Sequence, residues 1–172
     1  PGSSGPAARR PVLPAQKILE TTQDRLVEKD FVKRLGIGTA DYADVSSVES
    51  LRAAIARIGL PAVIKTRRFG YDGKGQAWVH QASEVREAWE AIGAPAGIAE
   101  AAIEFQAEFS VLLARTEDGT SAVWDSPRNT HDGGILRCSE LPAGDPITRQ
   151  VDEAYVIARR IADALGHLSL IH

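Results

Sequence analysis

The sequence predicts an α+β fold with a small lobe and part of a larger, antiparallel-sheet lobe. Three observations predict it. Two short apolar strands flank a glycine-rich run at 70–75, helical periodicity lies on both sides of that pair, and Asp118-Gly119 is a hairpin signal in the second half. We divide the chain into a flexible lead at 1–15, a small lobe at 16–97 and a partial large lobe at 98–172, which we expect to be incomplete at its C-terminal end.

Two helices are predicted before the first apolar strand. The first begins near Thr21 or Thr22, which are good N-caps, and ends at Gly36. The second starts at a capping-box pattern, Ser46 with Glu49, and ends at Gly59. Their apolar faces consist of Val27, Phe31 and Leu35 in the first helix, and of Val48, Leu51, Ile55 and Ile58 in the second.

A strand, a loop and a returning strand follow. Residues 62–65 form a short apolar run after a proline and end on Lys65, and 77–80 form the returning strand. A helix then begins at Ser83 and ends at Gly93. Its inward residues are Val85, Trp89 and Ile92.

The second half carries strand and hairpin signals. Residues 98–100 read as a strand, and strands at 108–115 and 120–124 flank the Asp118-Gly119 turn. Asp145, with proline after it, reads as the N-cap of a last helix that ends at Gly166. The inward face of that helix is predicted to contain Val151, Tyr155, Ala158, Ala162 and Leu165.

Bulk composition excludes several functional classes. The net charge of −3 argues against a nucleic-acid binder, and no apolar run reaches the length of a membrane span. The single cysteine, Cys138, cannot form an internal disulfide, which favours a reducing compartment such as the cytoplasm, and it has no adjacent base that would indicate a nucleophile. Because the chain contains no methionine, we expect a fragment of a longer protein.

The run Gly70–Gln76 carries the chemistry. Three glycines within six positions let the backbone approach a ligand, and Lys74 adds a mobile positive charge, which together are typical of a phosphate-binding loop. A plain glycine-rich turn explains the composition equally well. The lysine at the end of the preceding strand favours phosphate, because a half-buried ammonium needs an anionic partner. Arg67 and Arg68 could alternatively belong to a solvated basic face.

The run from Pro61 to Gln76 resembles the ATP-grasp core of the 5-(carboxyamino)imidazole ribonucleotide synthase family, the ATPase subunit of phosphoribosylaminoimidazole carboxylase. Residues 23–29 and 35–40 are similar to the opening helix of that family and the turn after it, and Asn129–Arg137 is similar to a further signature. The resemblance runs collinearly from about residue 18 to 166. Gly38 stands where the family commonly has proline, in a loop.

The resemblance implies a role for each matching residue. Arg25 and Lys65 would approach the ATP phosphates or adenine, and Glu108 would hold the ribose hydroxyls. His131 would line the nucleotide site. The loop of Gly70, Tyr71, Asp72, Gly73, Lys74, Gly75 and Gln76 would cover the phosphates, and Glu100, Ala101, Ala102 and Ile103 would be a hinge whose backbone meets adenine. Tyr71 and Asp72 would face aminoimidazole ribonucleotide, and they join Lys65 and Lys74 as the predicted catalytic residues.

The residues alone leave alternatives open. Glu100 and Glu108 could be ordinary surface carboxylates, and His131 could be a turn residue in a polar, glycine-bearing loop. The spacing of Asp125, His131 and Asp132 fits no standard metal site. We assign no metal ligand in this chain.

The family implies ATP and Mg²⁺ as cofactors, with the metal carboxylates expected beyond residue 172. It also implies bicarbonate and aminoimidazole ribonucleotide as substrates, and a homodimer. Net charge and the lack of a long apolar run predict no nucleic-acid or membrane partner. The chain alone is expected to bind ATP weakly and to turn over little. The alternatives are another carboxylating or amine-ligating ATP-grasp enzyme, such as a biotin carboxylase or glycinamide ribonucleotide synthetase relative, and a catalytically inert nucleotide-binding fragment.

Overall fold

A computed structural model describes residues 16–70, 74–93, 95–116, 118–166 and 169–171. The α-helices are α1 (Gln16–Thr22), α2 (Arg25–Arg34), α3 (Val48–Ile58), α4 (Val85–Ile92) and α5 (Val151–Leu165), with 3-10 turns at Ala82–Glu84 and Ile147–Arg149. The strands are β1 (Tyr42–Val45), β2 (Ala62–Thr66), β3 (Gln76–Val79), β4 (Gly97–Ala101), β5 (Glu108–Phe109), β6 (Leu113–Arg115), β7 (Ser121–Val123), β8 (Arg128–Asp132), β9 (Ile135–Glu140) and β10 (Ser169–Ile171). The predicted lead at 1–15 lies outside the described residues.

The first sheet has the strand order β1-β4-β2-β3 and is antiparallel throughout. One face packs against α3 and α4. The buried side chains at this contact include Val45, Leu51, Ile55, Ile64, Val79, Val85, Ala88, Ile92 and Ala99. Their burial removes apolar surface from water, which is the main source of stability in this half of the chain.

The opposite face of this sheet carries charged side chains beside buried apolar ones. Lys65 pairs with Ile98, and Val63 pairs with Glu100, so all four residues project from the same side. Tyr42, opposite Glu100, lies on this side as well. Helix α2 covers part of the face at β1, where the Tyr42 hydroxyl donates to Asp30 Oδ1 at 2.6 Å. The sheet therefore presents a core side against α3 and α4 and an opposite side that carries Lys65.

Two three-stranded antiparallel sheets make up the second half. Their strand orders are β10-β6-β7 and β5-β8-β9. Helix α5 contacts the β10-β6-β7 sheet. Arg115 of β6 donates to the Ala162 carbonyl at 3.3 Å and forms an ion pair with Asp163 at 3.0 Å. The hairpin predicted around Asp118-Gly119 is confirmed as β6 and β7.

The single strand predicted at 108–115 is wrong. Its first part, Glu108–Phe109, pairs with β8, whereas Leu113–Arg115 pairs with β7 in the other sheet. Between them, the Ser110 amide donates to the Pro127 carbonyl, and the chain changes sheets. Strand β4 also begins at Gly97 and lies inside the first sheet. The strand predicted at the start of the large lobe thus belongs to the small-lobe sheet.

The helix predicted to begin near Thr21 or Thr22 begins at Arg25 as α2, after a separate helix α1 that was not predicted, and the predicted start of α3 is wrong by one residue. Thr22 ends α1, and its hydroxyl donates to the Ile18 carbonyl, so it does not cap α2. Asp24 caps α2 instead. Helix α3 begins one residue later than predicted, because the reciprocal capping bonds join Ser47 and Ser50 rather than Ser46 and Glu49.

The later helix starts also differ from prediction. The 3-10 turn at Ala82–Glu84 precedes α4, which therefore begins at Val85 and not at Ser83. Asp145 does not cap α5, since its carboxylate accepts from Arg149 at 2.7 Å and the helix begins at Val151. The predicted ends at Gly59, Gly93 and Gly166 are confirmed.

Two predicted apolar faces are less buried than expected. Val27 is exposed, and α2 has no fully buried residue, so its inward side chains Phe31 and Leu35 are only half-buried. In α5 only Ala162 is fully buried. Within the described residues, none of the helices is both long and apolar enough to cross a membrane.

Candidate functional site

Lys65 and Glu100 form the centre of a charged cluster on the side of the first sheet opposite α3 and α4. The Lys65 ammonium lies 3.1 Å from Glu100 Oε2. A second ammonium, that of Lys29 from α2, lies 3.4 Å from the same oxygen. Glu100 is buried, whereas both lysines keep part of their side chain in solvent. The anionic partner that a half-buried Lys65 requires is thus a carboxylate of the chain itself.

A cavity of about 240 Å³ opens beside this cluster. Its lining combines the charged groups with two uncharged side chains: Arg25, Glu28, Lys29, Val32, Thr39, Lys65 and Glu100. Three of these groups are cationic and two are anionic. The lining therefore has one more positive than negative charge, and it contains both Arg25 and Lys65.

A larger cavity of about 600 Å³ lies between α2, β5 and α5 and shares Glu28 and Val32 with the smaller one. Its lining is mostly apolar and includes Phe31, Phe109, Ile157 and Ile161. Because a polyphosphate needs several cationic or amide donors, this apolar cavity suits it less well than the smaller one.

Asp24 joins the start of α2 to the end of β2. Its carboxylate accepts from the Leu26 and Val27 amides, from Arg67 at 3.0 and 2.8 Å, and from Arg68 at 3.1 Å. Burial on its own would raise the pKa of Asp24. The arginine bonds and the Val27 amide outweigh it and lower the pKa to about 2.

The same junction places Arg25 beside the glycine-rich run. The Arg25 amide donates to the Arg67 carbonyl at 3.0 Å, and a Cβ added at Gly70 would lie 3.3 Å from a guanidinium nitrogen of Arg25. Asp24 therefore fixes the residue that follows it next to the predicted phosphate loop. Arg67 and Arg68, which could have formed a solvated basic face, are both paired with Asp24, although the Arg68 side chain is half exposed.

The base of the glycine-rich run closes tightly around Thr66. Cβ atoms added at Gly70 and Gly75 would lie 3.1 and 2.8 Å from Thr66 Oγ1, and Gly75 has a φ of +72°. The Thr66 amide donates to the Gly75 carbonyl at 2.7 Å. A side chain at Gly75 would be strained by both the contact and the φ, whereas one at Gly70 would require its neighbours to shift by a few tenths of an ångström. Tyr71, Asp72 and Gly73 lie outside the described residues.

The predicted hinge runs out of strand β4. The Ala101 amide donates to the Asp41 carbonyl at 2.8 Å, and the Ala102 amide donates to the Pro61 carbonyl at 3.0 Å. Ile103 is exposed. Any contact of the hinge backbone with an adenine edge would therefore use groups other than these two amides.

Glu108 and His131 meet in the sheet formed by β5, β8 and β9. The Nδ1 atom of His131 lies 3.0 Å from Glu108 Oε2. A register shift between Thr130 and His131 interrupts the pairing of β8 with β9 at this point. The prediction that His131 lies in a loop is wrong, because it belongs to β8 and the turn follows at Gly133-Gly134. Both side chains remain partly exposed and open to a ligand.

Sequence reasoning missed two residues of the charged region. Asp24 was overlooked because Thr21 and Thr22 also suit a helix start, although an aspartate directly before an amphipathic run is a strong capping signal. Lys29 was overlooked as a site residue, although it follows Arg25 by four positions and so shares one face of α2. Within the ranges that the structure describes, no group of three or more His, Cys, Asp and Glu side chains could hold a metal ion.

Comparison with known proteins gives a consistent result. The ATP-grasp domain pattern matches residues 30–171. An N5-carboxyaminoimidazole ribonucleotide synthase of Pseudomonas aeruginosa is 43% identical over 146 residues, which cover 85% of this chain and 40% of that protein.

Solved structures agree. The N5-carboxyaminoimidazole ribonucleotide synthetase of Thermus thermophilus aligns with a TM-score of 0.83 and 38% identity, over 93% of this chain and 43% of the other. Another such synthetase, solved as its ADP complex, aligns with a TM-score of 0.83 and 33% identity over 90% and 41% of the two chains. The chain thus spans about two fifths of the length of these relatives. It belongs to the ATP-grasp family.

Proposed function

We propose that this chain is the ATP-binding part of a ligase that carboxylates aminoimidazole ribonucleotide with bicarbonate and ATP in de novo purine biosynthesis. Because the chain spans only about two fifths of its relatives, nucleotide binding is assigned to the chain and the complete reaction to a protein of the relatives' length. The synthetase solved with ADP is 33% identical to this chain, which supports a nucleotide as the ligand.

The observation that carries the proposal is the placement of Arg25 and Lys65. Both line one cavity, and Arg25 approaches Gly70 at the base of the glycine-rich run. Lys65 lies opposite Gln76, the residue that ends that run, across the β2–β3 pairing. Two cationic side chains from different elements therefore border one glycine-rich loop, an arrangement suited to a polyphosphate.

The adenosine end of ATP is assigned to the remaining predicted residues. Glu108 accepts hydrogen bonds from the ribose hydroxyls, and its contact with His131 holds the carboxylate in place. The hinge from Glu100 to Ile103 lies against the adenine. Lys74, Tyr71 and Asp72 act at the phosphates and at the ribonucleotide.

The chemistry asked of these residues is positioning and charge neutralisation. Bicarbonate oxygen attacks the γ-phosphorus of ATP, which gives carboxyphosphate and ADP. The exocyclic amine of aminoimidazole ribonucleotide then attacks the carboxyl carbon, phosphate leaves, and the amine loses a proton. Arg25 and Lys65 neutralise phosphate charge as the bond to ADP breaks.

Magnesium normally accompanies ATP and offsets charge on its phosphates. The described residues supply no cluster of carboxylates that fits it. We therefore derive no step through the metal from this chain. A reducing, cytoplasmic location and a homodimer remain part of the proposal, the first resting on the single cysteine.

Calorimetric titration of ATP into the 172-residue chain, with and without magnesium, tests the binding assignment. We expect weak binding that Lys65→Met reduces by roughly tenfold, since it removes a charged contact to phosphate. Arg52→Met is the matched control, because Arg52 is an exposed cation on α3, away from the cavity. Equal affinities of wild type and Lys65→Met refute the assignment, and no binding at millimolar ATP favours an inert fragment.

The alternative function, another ATP-grasp ligase activity, is distinguished from the proposed one by the substrates on which ADP release depends. In a protein of the relatives' length that contains this domain, ADP release should depend on both bicarbonate and aminoimidazole ribonucleotide. ADP release that depends instead on biotin or on another amine assigns the domain to a different carboxylating or amine-ligating enzyme.

A further inference from the structure

Glu100 accepts two lysines on one oxygen. Lys65 from β2 and Lys29 from α2 lie 3.1 and 3.4 Å from Glu100 Oε2. The Glu100 side chain is only 12% exposed, so it needs a cationic partner, but one lysine is enough to balance its single charge. The second lysine places a surplus positive charge beside the cavity.

The neighbouring groups do not absorb that surplus. Arg25 and Glu28, which also line the cavity, carry opposite charges and offset each other. Tyr42 lies close to Lys29 but is a neutral ring, with the Lys29 ammonium 5.7 Å from its centroid. Asp30, which accepts from the Tyr42 hydroxyl at 2.6 Å, is not part of the lining, and the lining residues therefore carry one positive charge in excess.

The two lysines differ in where they can turn. Lys65 lies at the end of β2, across from Gln76 and next to the glycine-rich run. Lys29 lies on α2, between Glu100 and the ring of Tyr42. Of the two lysines, Lys65 is therefore the one next to the glycine-rich run.

We propose that Lys29 is a positioning residue that balances Glu100 when Lys65 leaves this carboxylate for the phosphate of a bound nucleotide. This inference rests on the proposed function and adds to it. Without Lys29, Lys65 can bind phosphate only by leaving a buried carboxylate without a charged partner, which opposes binding. Lys29 thus lowers the cost of moving Lys65 from one anion to another.

The test is a set of ATP titrations on the 172-residue chain in two backgrounds, wild type and Glu100→Gln. In the wild-type background, Lys29→Met should weaken ATP binding by roughly tenfold, between the effect of an exposed ion pair and that of a fully desolvated one. In the Glu100→Gln background, Lys29→Met should reduce the ATP affinity by less than about twofold, because no carboxylate remains there for Lys29 to balance. Comparison within each background cancels any direct effect of Glu100 on the nucleotide.

Two further variants serve as controls. Lys29→Arg keeps the charge and should retain most of the affinity. Lys33→Met removes the other lysine over Tyr42, whose ammonium is 5.5 Å from the ring centroid, without touching Glu100, and should leave affinity unchanged. Unfolding midpoints are recorded for every variant, and Lys29→Gln replaces Lys29→Met if the latter does not fold.

The outcomes are distinct. A tenfold loss that disappears with Glu100→Gln supports the proposal. An equal loss in both backgrounds shows that Lys29 contacts the nucleotide directly or acts through folding, and overturns it, as does wild-type affinity for Lys29→Met. Absence of ATP binding by the wild-type chain overturns the proposed function, and the inference with it, before any variant is compared.

Discussion

Replacing Asp24 with Asn removes the charge that joins α2 to the end of β2. Asparagine is as good a helix N-cap as aspartate, so the substitution spares the cap and weakens only the contacts with Arg67 and Arg68. The substitution therefore isolates the ion pairs.

The magnitude follows from the pKa of the carboxyl. A pKa lowered from 3.8 to about 2 corresponds to about 2 kcal/mol of stabilisation at neutral pH. Asp24 itself is 3% exposed, but the Arg68 side chain is 53% exposed, and solvent screens part of the attraction. We therefore expect Asp24→Asn to lower the free energy of unfolding by about 1–2 kcal/mol at pH 7.

The pH dependence gives the sharper test. Because the pKa is lower in the folded state than in the unfolded state, the stabilisation is complete well above pH 3.8 and is lost as pH falls towards about 2. Urea unfolding of wild type and Asp24→Asn between pH 3 and pH 7 should show a stability difference that falls to about half at pH 3. Asp125→Asn, an exposed aspartate, serves as the control. A stability difference that is the same at pH 3 and pH 7 would refute the ion-pair explanation.

Three further predictions concern the loop, the core and the alkaline range. A Cβ added at Gly75 would lie 2.8 Å from Thr66 Oγ1 at a φ of +72°. Gly75→Ala should therefore lower the free energy of unfolding, measured in urea, by about 1–3 kcal/mol and weaken ATP binding. A variant with the stability and ATP affinity of wild type would contradict the close approach. Leu51 is fully buried, so Leu51→Ala should cost about 2–5 kcal/mol, and a cost of only a few tenths in urea unfolding would be inconsistent with that burial. Burial and the hydrogen bond to Asp30 raise the pKa of Tyr42 from 10.0 to about 12, so its stabilisation is present below pH 10 and lost between pH 10 and 12. Unfolding across that range should show a loss that Tyr42→Phe abolishes, and ultraviolet titration in which every tyrosine ionises near pH 10 argues against the shift.

The local patterns of the first half predicted several of its elements, but not α1 or β1. The apolar run ending at Lys65, the glycine-rich stretch and the glycines that end α3 and α4 act through neighbouring residues, so sequence reasoning placed β2, β3 and both helix ends correctly. Helix starts were less well predicted, because several Ser, Thr and Asp side chains compete near each start. Packing decides which of them caps, as with Asp24 and Ser47.

In the second half, local sequence patterns did not predict how the strands pair. Residues 108–115 have the alternation of one strand, yet the chain divides them between two sheets. The run 128–140, recognised only as a family signature, is a β-hairpin whose side chains are mostly exposed, so it lacks the apolar alternation that indicates a strand. Strand pairing depends on partners that are distant in sequence, and no local pattern encodes them.

Residue order alone was enough for the α+β class, the lysine at the end of β2, the glycine-rich run and the resemblance to ATP-grasp proteins. Composition, turn residues and motif spacing are local properties, and each of these conclusions depends only on them. Which charges meet was settled by the packing of distant segments. Packing brought Lys29 and Lys65 to one oxygen of Glu100, and Arg67 and Arg68 to Asp24, across separations that only the docking of α2 on the sheet closes.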